Sequence, residues 1–245
     1  MHAYVYDGTF DGLLTAIYEA YYRGEQPERI AASGEFQEDF LMQSVDIHTD
    51  TEKAGRVYRS IIEKISLHAL EYVFYAFLSE TQDVGTAIYK YLKLGWKVGG
   101  TVDDYLAKDE VLRVHELHRK VASERHALLG LIRFRSIGED RYYAPIEPRY
   151  NTIGLLAPHF VQRLSDQHWM IHDVKRGIGA VYNQKEWIIT EINLHKEIRL
   201  SEEEQYWQSL WKEYFKKIAI KERINPKLQK SNMPMKYWKY LIEKN

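Results

Sequence analysis

Several groups of residues in this chain have the types and spacing that chemistry requires. The run Arg113-Val-His-Glu-Leu-His-Arg-Lys-Val-Ala-Ser-Glu-Arg-His126 carries three histidines. At about 100° per residue, His115, His118 and His126 fall on one helical stripe beside an apolar face of Val114, Leu117, Val121 and Leu128. Aligned histidines suggest a metal. His115 and His126, however, stand eleven residues apart, about 16 Å along a helix. One ion held by bonds of about 2 Å cannot bridge that span. Border histidines bonded to their neighbours are the simpler reading, and no metal is expected. For a general acid–base step the candidates are Glu124 with His126, Glu147 with Asn151, and His159, and spacing does not choose among them.

Arg133-Phe-Arg135 opens a stretch that alternates like a strand, which places both guanidiniums on one face and Phe134 on the other. Two parallel guanidiniums form a fork suited to phosphate or carboxylate; a solvated sheet face, or pairing with Glu147, accounts for the same residues. Ala157-Pro-His-Phe-Val-Gln-Arg163 reads as a helix start, because proline is tolerated in the first turn. His159 and Arg163 share a face there, and a helix N-terminus beside a basic pair can hold an anion. The same residues could equally hold the helix against a sheet. Near the end of the chain Arg223, Lys227 and Lys236-Tyr-Trp-Lys-Tyr240 interleave cations with rings. Rings stack on bases while lysines neutralise phosphates, so Lys236, Tyr237, Trp238 and Lys239 join the nucleic-acid-binding candidates. Alternatively, Trp238 is an anchor that ties the segment down. There is no Gly-x-Ser-x-Gly elbow, Walker loop or Gly-x-Gly-x-x-Gly fingerprint.

The elements that must position these groups change period along the chain. Ala3-Tyr-Val-Tyr6 reads as a strand closed at Asp7-Gly8, followed by a helix through Phe10, Leu13, Leu14, Ile17, Tyr18 and Tyr21 that Gly24 stops. A strand over Ser44–His48 precedes a helix capped by Asp50 or Thr51, another opened by Ser66, and a third from Val84 to Leu94 ending before Gly95. Helical character resumes from about Val102 to Leu129. Leu131–Ile137, Arg141–Ile146, His168–His172, Gly179–Tyr182 and Glu186–Thr190 then alternate as strands do, interrupted by a helix around Ile153 to Leu164. Ser201 with Glu204 has the form of a capping box. The expected fold is α+β: a mostly helical N-terminal region over 1–98, then an α+β domain over 99–245 with an antiparallel sheet flanked by helices and an ordered basic C-terminal tail.

The chain has 245 residues, 45% hydrophobic and 28% charged, with a net charge of −1 and no cysteine. Its length suits one large or two small domains. Lack of cysteine excludes disulfides, thiolate catalysis and iron–sulfur ligation. No apolar run approaches the roughly 20 residues that span a bilayer, and Met1–Gly8 does not read as a secretory signal, so a cytoplasmic protein without a membrane partner is expected. Residues 1–50 hold ten acids against two bases, while residues 212–245 hold ten bases against three acids. That asymmetry fits either a basic surface for phosphate or termini that pack together.

Glu124-Arg-His126, Arg133-Phe-Arg135, Ile146-Glu-Pro148, Pro158-His-Phe-Val-Gln-Arg163 and Trp169-Met-Ile171, followed by Arg223-Ile-Asn-Pro-Lys-Leu-Gln229 and Met233-Pro-Met-Lys-Tyr-Trp238, resemble in content and order the domain of unknown function 4130 family. The resemblance is closest from about residue 85 onward. It implies DNA metabolism or DNA repair, a radical-SAM DNA repair protein as partner, and a relation to uracil-DNA glycosylase-like domains, to which the domain is joined in other members. Nothing in this chain looks like a glycosylase domain, and without cysteine it carries no radical-SAM cluster, so such chemistry would belong to a partner. Where relatives are expected to carry a Trp-Asp-Gly-like turn, this chain has Lys175-Arg-Gly-Ile-Gly179. The expected function is a DNA-binding or partner-binding accessory protein. Alternatives are an enzyme acting on nucleic acid or nucleotides, and a pure protein-interaction subunit. No cofactor is assigned, and the oligomeric state stays open.

Overall fold

The computed structural model describes residues 2–24, 26–36, 43–193, 200–218, 220 and 223–244. Glu25, Glu38, Asp39, Lys221 and Glu222, counted among the charges of the two ends, lie outside the described residues. The chain is mixed α/β and forms two compact units, residues 1–122 and 123–245, which divide within one helix. Gly95, Gly99 and Gly100 lie inside the first unit. Among the described residues no helix is long and apolar enough to cross a membrane.

The first unit is built on a parallel three-stranded sheet. Strand β1 (His2–Tyr6) pairs with β2 (Arg29–Ala32) on one side and β3 (Gln43–Asp46) on the other. Helix α1 (Phe10–Tyr22) starts where the Thr9 hydroxyl accepts the Gly12 amide at 2.9 Å, and Asp7 in turn accepts from Thr9. Asp50 caps α2 (Thr51–Lys64), Ser66 caps α3 (Leu67–Phe77), and each accepts the amides a free helix start would leave orphaned. The sequence pattern misses β2. Arg29-Ile-Ala-Ala is short and has no alternation; its pairing with β1 makes it a strand.

Helix α4 (Val84–Val98) runs through Gly95 instead of ending before it. A Cβ at Gly95 would lie 2.6 Å from Ile65 Cδ1, so the glycine provides a close approach of α2 to α4 rather than a stop. The stop is Gly99, at φ +70°, leading into a 3-10 turn (Gly99–Asp104). At its other end α4 lies against β2. Thr86 Oγ1 accepts the Ile30 amide at 2.9 Å, and a Cβ on Gly85 would sit 2.6 Å from the Ile30 carbonyl oxygen. Tyr4, Leu13, Leu14, Ile17, Ile61, Ile88, Tyr91 and Leu92 fill the core between sheet and helices.

Helix α5 (Asp109–Leu131) enters the second unit after Ala122. Its helical period continues through Leu131, so the expected strand from Leu131 shrinks to β4 (Arg135–Ser136). The sheet order is β4, β5 (Arg141–Ile146), β6 (His168–Asp173), β7 (Ile178–Asn183), β8 (Trp187–Glu191). It is mixed, not antiparallel as the alternation suggested. β5 and β6 run parallel because α6 (Ile153–Arg163) carries the chain back between them; the other pairs are antiparallel. Pro145 sits within β5, but β4 pairs only with Tyr142 and Tyr143, so no ladder on that side needs its missing N–H. Ala144, Ile146, Trp169, Ile171, Ala180 and Tyr182 face α6 and form the core with Leu156 and Phe160.

Ser201 caps α7 (Glu202–Lys217), accepting the Glu204 amide at 3.1 Å. The second arm of the expected capping box is redirected: the Glu204 carboxylate accepts the Ser136 amide of β4 at 2.9 Å. The chain ends in α8 (Pro226–Asn232), capped by Asn225, and 3-10 turns over Met235–Tyr240 and Ile242–Lys244.

Gly85→Ala should destabilise the first unit by about 1–3 kcal/mol, because the added methyl meets backbone rather than a movable side chain. Gly55→Ala on α2 is the control. Its methyl meets only the far end of Arg59, at 3.9 Å, so urea denaturation should read it as neutral or stabilising.

Candidate functional site

Of the residues singled out by sequence, Lys236 and Tyr237 meet at one buried acid of the second unit, Glu124. Glu124 stands on α5 and is 5% exposed. Its Oε1 accepts from the Arg149 amide at 3.1 Å, the Tyr237 hydroxyl at 2.7 Å and Lys236 Nζ, and its Oε2 accepts the Tyr150 amide at 2.7 Å. Burial pushes this carboxyl up, but Lys236, Tyr237 and the two amides outweigh it and hold it below the usual carboxylate range. Conversely, burial and the neighbouring carboxylate raise the Tyr237 phenol.

Three further sets of contacts dock the two C-terminal 3-10 turns. Arg133 donates to Glu243 through two nitrogens, at 2.6 and 3.3 Å, and to the Gly130 carbonyl at 2.9 Å. The Glu243 side chain is 2% exposed, and its carboxyl is raised by burial but lowered on balance by Arg133. Arg135 Nη2 donates to the Tyr240 carbonyl at 3.2 Å. Glu147 accepts from the Tyr240 hydroxyl at 3.0 Å and Lys239 at 3.2 Å, and these partners hold its carboxyl down. Trp238 is half-buried and donates to the Met233 carbonyl at 2.8 Å. That bond stays within its own segment; the ring of this segment that enters the core is Tyr237.

Several expected arrangements do not form. Arg133 precedes β4 and turns to Glu243 while Arg135 turns to Tyr240, so the parallel fork is absent and neither arginine is bonded to Glu147. Phe134 does go to the other side, edge-on to Phe160 at 5.1 Å. His126 is exposed while Glu124 is buried; two residues apart on a helix they diverge by about 200° and make no acid–base pair. Pro158 is inside α6, not at its start: the helix begins at Ile153. His159 and Arg163 therefore lie in its carbonyl-terminated half, where the dipole does not favour an anion. His159 Nε2 is buried without a hydrogen-bond partner, and Arg163 is exposed. Arg163, Arg223 and Lys227 make no ion pair among the described residues. In the first unit His115 bonds Asp103 at 2.8 Å, and His118 packs against Tyr72 and Tyr75. Among the described residues no group of three or more His, Asp or Glu is arranged to hold a metal ion.

Sequence reasoning missed two features here. Tyr143 hydrogen-bonds His172 Nδ1 at 2.9 Å on the sheet face opposite the core. Burial lowers the histidine's pKa, although Asp173 works against it. Strand register is the signal: Tyr143 and Pro145 share a face of β5, and Pro145 is paired with His172. The second is the turn after β6. Fully buried Asp173 accepts from the Lys175 and Arg176 amides and pairs with Arg176 at 2.8 Å. Arg176 also donates to the Pro148 and Arg149 carbonyls. Lys175-Arg-Gly-Ile-Gly179 thus braces, from the carbonyl side, the loop whose amides Glu124 holds.

The second unit is therefore an α/β module in which a buried carboxylate and a ring of ion pairs clamp the C-terminal turns to the sheet. The family model of the domain of unknown function DUF4130 matches residues 82–243, about two thirds of the chain, and the protein belongs to that family. No curated protein matches the chain.

Glu124→Ala leaves two amides, an ammonium and a phenol without their acceptor, and should cost about 3 kcal/mol; trypsin should then cut after Lys236 and Lys239. Acid should act in the same direction. Glu124 and Glu243 have folded pKa values below their unfolded ones, so their stabilisation is complete above the unfolded value of about 4.3 and is lost as pH falls through the folded values. The hydrogen-exchange protection of residues 235–240, corrected for the intrinsic pH dependence of amide exchange, should be constant between about pH 5 and 7 and fall below about pH 4.

Proposed function

We propose that this protein is a DNA-metabolism accessory protein that binds single-stranded nucleic acid through its second unit and serves a radical-SAM DNA repair partner. One observation carries the nucleic-acid reading. Helix α7 buries no residue and exposes Tyr206, Trp207, Trp211 and Tyr214 by 41–60%. Lys212 and Lys216 lie on the same helix, about 140–180° round from Trp207 and Tyr214, and Arg223, Lys227 and Lys230 follow on α8 and its approach; none of these five makes an ion pair among the described residues. Exposed rings can stack on unpaired bases, at about 1–3 kcal/mol each, while free cations release counterions from the phosphates. Arg133, Arg135, Lys236 and Lys239, by contrast, are engaged in docking the C-terminal turns. The contact surface is accordingly assigned to α7, Arg223 and Lys227.

The enzymatic reading draws less support. Glu124 is saturated by four donors, Glu147 is held by Lys239 and Tyr240, and neither is brought to His126 or His159. The DNA-repair setting and the radical-SAM partner rest on the family resemblance.

Titration of a fluorescent oligothymidylate against the full chain tests the reading. Affinity should fall linearly with log salt, with a slope of about −0.7 per phosphate neutralised. Trp207→Ala should weaken binding about tenfold, and Lys212→Gln with Lys216→Gln should flatten the slope. No binding at about 50 mM salt, or binding indifferent to salt, would overturn it. Co-purification with the radical-SAM partner without DNA would then support the interaction-subunit reading.

A further inference from the structure

The first unit contains a cavity that the reading above does not use. It has a volume of about 100 Å³ and is walled by Tyr18, Tyr21 and Tyr22 of α1, Arg56 and Lys64 of α2, and Trp96 of α4. The rings are mutually arranged: Tyr18 and Tyr22 stack with centroids 4.3 Å apart, and Tyr21 meets Trp96 edge-on at 5.3 Å. Tyr21 and Tyr22 are nevertheless more than half exposed. Large aromatic faces left in water at the mouth of a cavity are a surface in want of a flat partner. The volume is below the roughly 150 Å³ that encloses benzene, so a ring would be held with one edge in solvent.

Charge narrows the class of ligand. No carboxylate lines this cavity, and neither Arg56 nor Lys64 makes an ion pair among the described residues. Arg56 Nη1 donates only a long bond to the Tyr18 hydroxyl, at 3.3 Å. Arg56 also lines a neighbouring polar groove with Thr51, Glu52, Gly55 and Arg59. One guanidinium thus joins an aromatic slot to a groove holding a second guanidinium one helical turn away. Planar guanidiniums suit phosphate oxygens, and the single acid, Glu52, lies in the groove and not in the slot.

We propose that this cavity binds a nucleotide, with its base against the tyrosines and Trp96 and its phosphate on Arg56 and Arg59. Two sources share that chemistry: a free mononucleotide, or one unstacked nucleotide of a single strand. The site is separate from α7 and rests on the nucleic-acid reading only for the second source.

Calorimetric titration of the full chain with thymidine monophosphate, thymidine and an eight-residue oligothymidylate tests it. The monophosphate should bind and thymidine should bind more weakly. Tyr21→Ala should weaken the monophosphate about tenfold, and Arg56→Gln should erase its advantage over thymidine. If the source is a strand, Tyr21→Ala weakens the oligonucleotide too and the monophosphate competes with it. If the source is a free nucleotide, oligonucleotide binding is untouched by Tyr21→Ala. Absence of monophosphate binding at millimolar concentration, or unchanged affinity in both variants, overturns the proposal. Trp207→Ala should leave the monophosphate unaffected. A chain that binds the monophosphate but no oligonucleotide keeps this site and defeats the α7 reading; the reverse defeats this site alone.

Discussion

A carboxylate taken out of water needs hydrogen-bond donors for both oxygens, and Glu124 obtains them from two places far apart in sequence. The amides of Arg149 and Tyr150 come from the loop between β5 and α6, while Lys236 and Tyr237 come from the C-terminal turns. Left unpaired, a buried carboxylate would cost more than most single contacts return. The helix, the loop and the C-terminus of the second unit are therefore placed together by one requirement. Arg176 repeats the logic from the other side of the loop, taking the Pro148 and Arg149 carbonyls while resting on buried Asp173. The loop is held by a cation through its carbonyls and by an anion through its amides.

This arrangement decides what the basic residues of the unit are free to do. A lysine or arginine already matched to a carboxylate contributes little new attraction for phosphate, since binding would first have to break an existing pair. Arg133 is spent on Glu243, Lys236 on Glu124, and Lys239 on Glu147. Composition counts Lys236 and Lys239 in a basic tail; geometry counts them, with Arg133, as clamps. Among the described residues the cations without a carboxylate partner include Lys212 and Lys216 of α7, Lys227 and Lys230 of α8, Arg163 and Arg223, and α7 also carries exposed indole and phenol rings.

Local patterns carried much of the secondary structure. The caps at Asp50, Ser66 and Ser201 were readable because a helix start needs a side-chain acceptor at a set offset. Strands β5 to β7 were readable because their core-facing residues are apolar and alternation survives; β8 was readable from its residue pattern alone, since four of its five residues are exposed. What local pattern lacks is partnership. β2 is a strand only beside β1, and the parallel pairing of β5 with β6 follows from the α6 crossover, not from either strand's own residues. Glu124 looked like a reactive acid next to His126, since sequence proximity is visible and a tyrosine 113 residues away is not.

The same limit explains why chemistry and anchoring were confused at the tail, and why Tyr21, placed by its spacing on the inner face of α1, gave no sign of the cavity in the first unit. Rings and cations interleaved in sequence have no fixed meaning. Tyr237 is 4% exposed and bonded, whereas Tyr21 is 56% exposed beside a cavity. Burial with a saturated hydroxyl uses a tyrosine as a fastener. Exposure beside an unpaired guanidinium leaves its face and the charge available together, and that combination, not the count of rings or lysines, is what a stacked and phosphorylated ligand recognises.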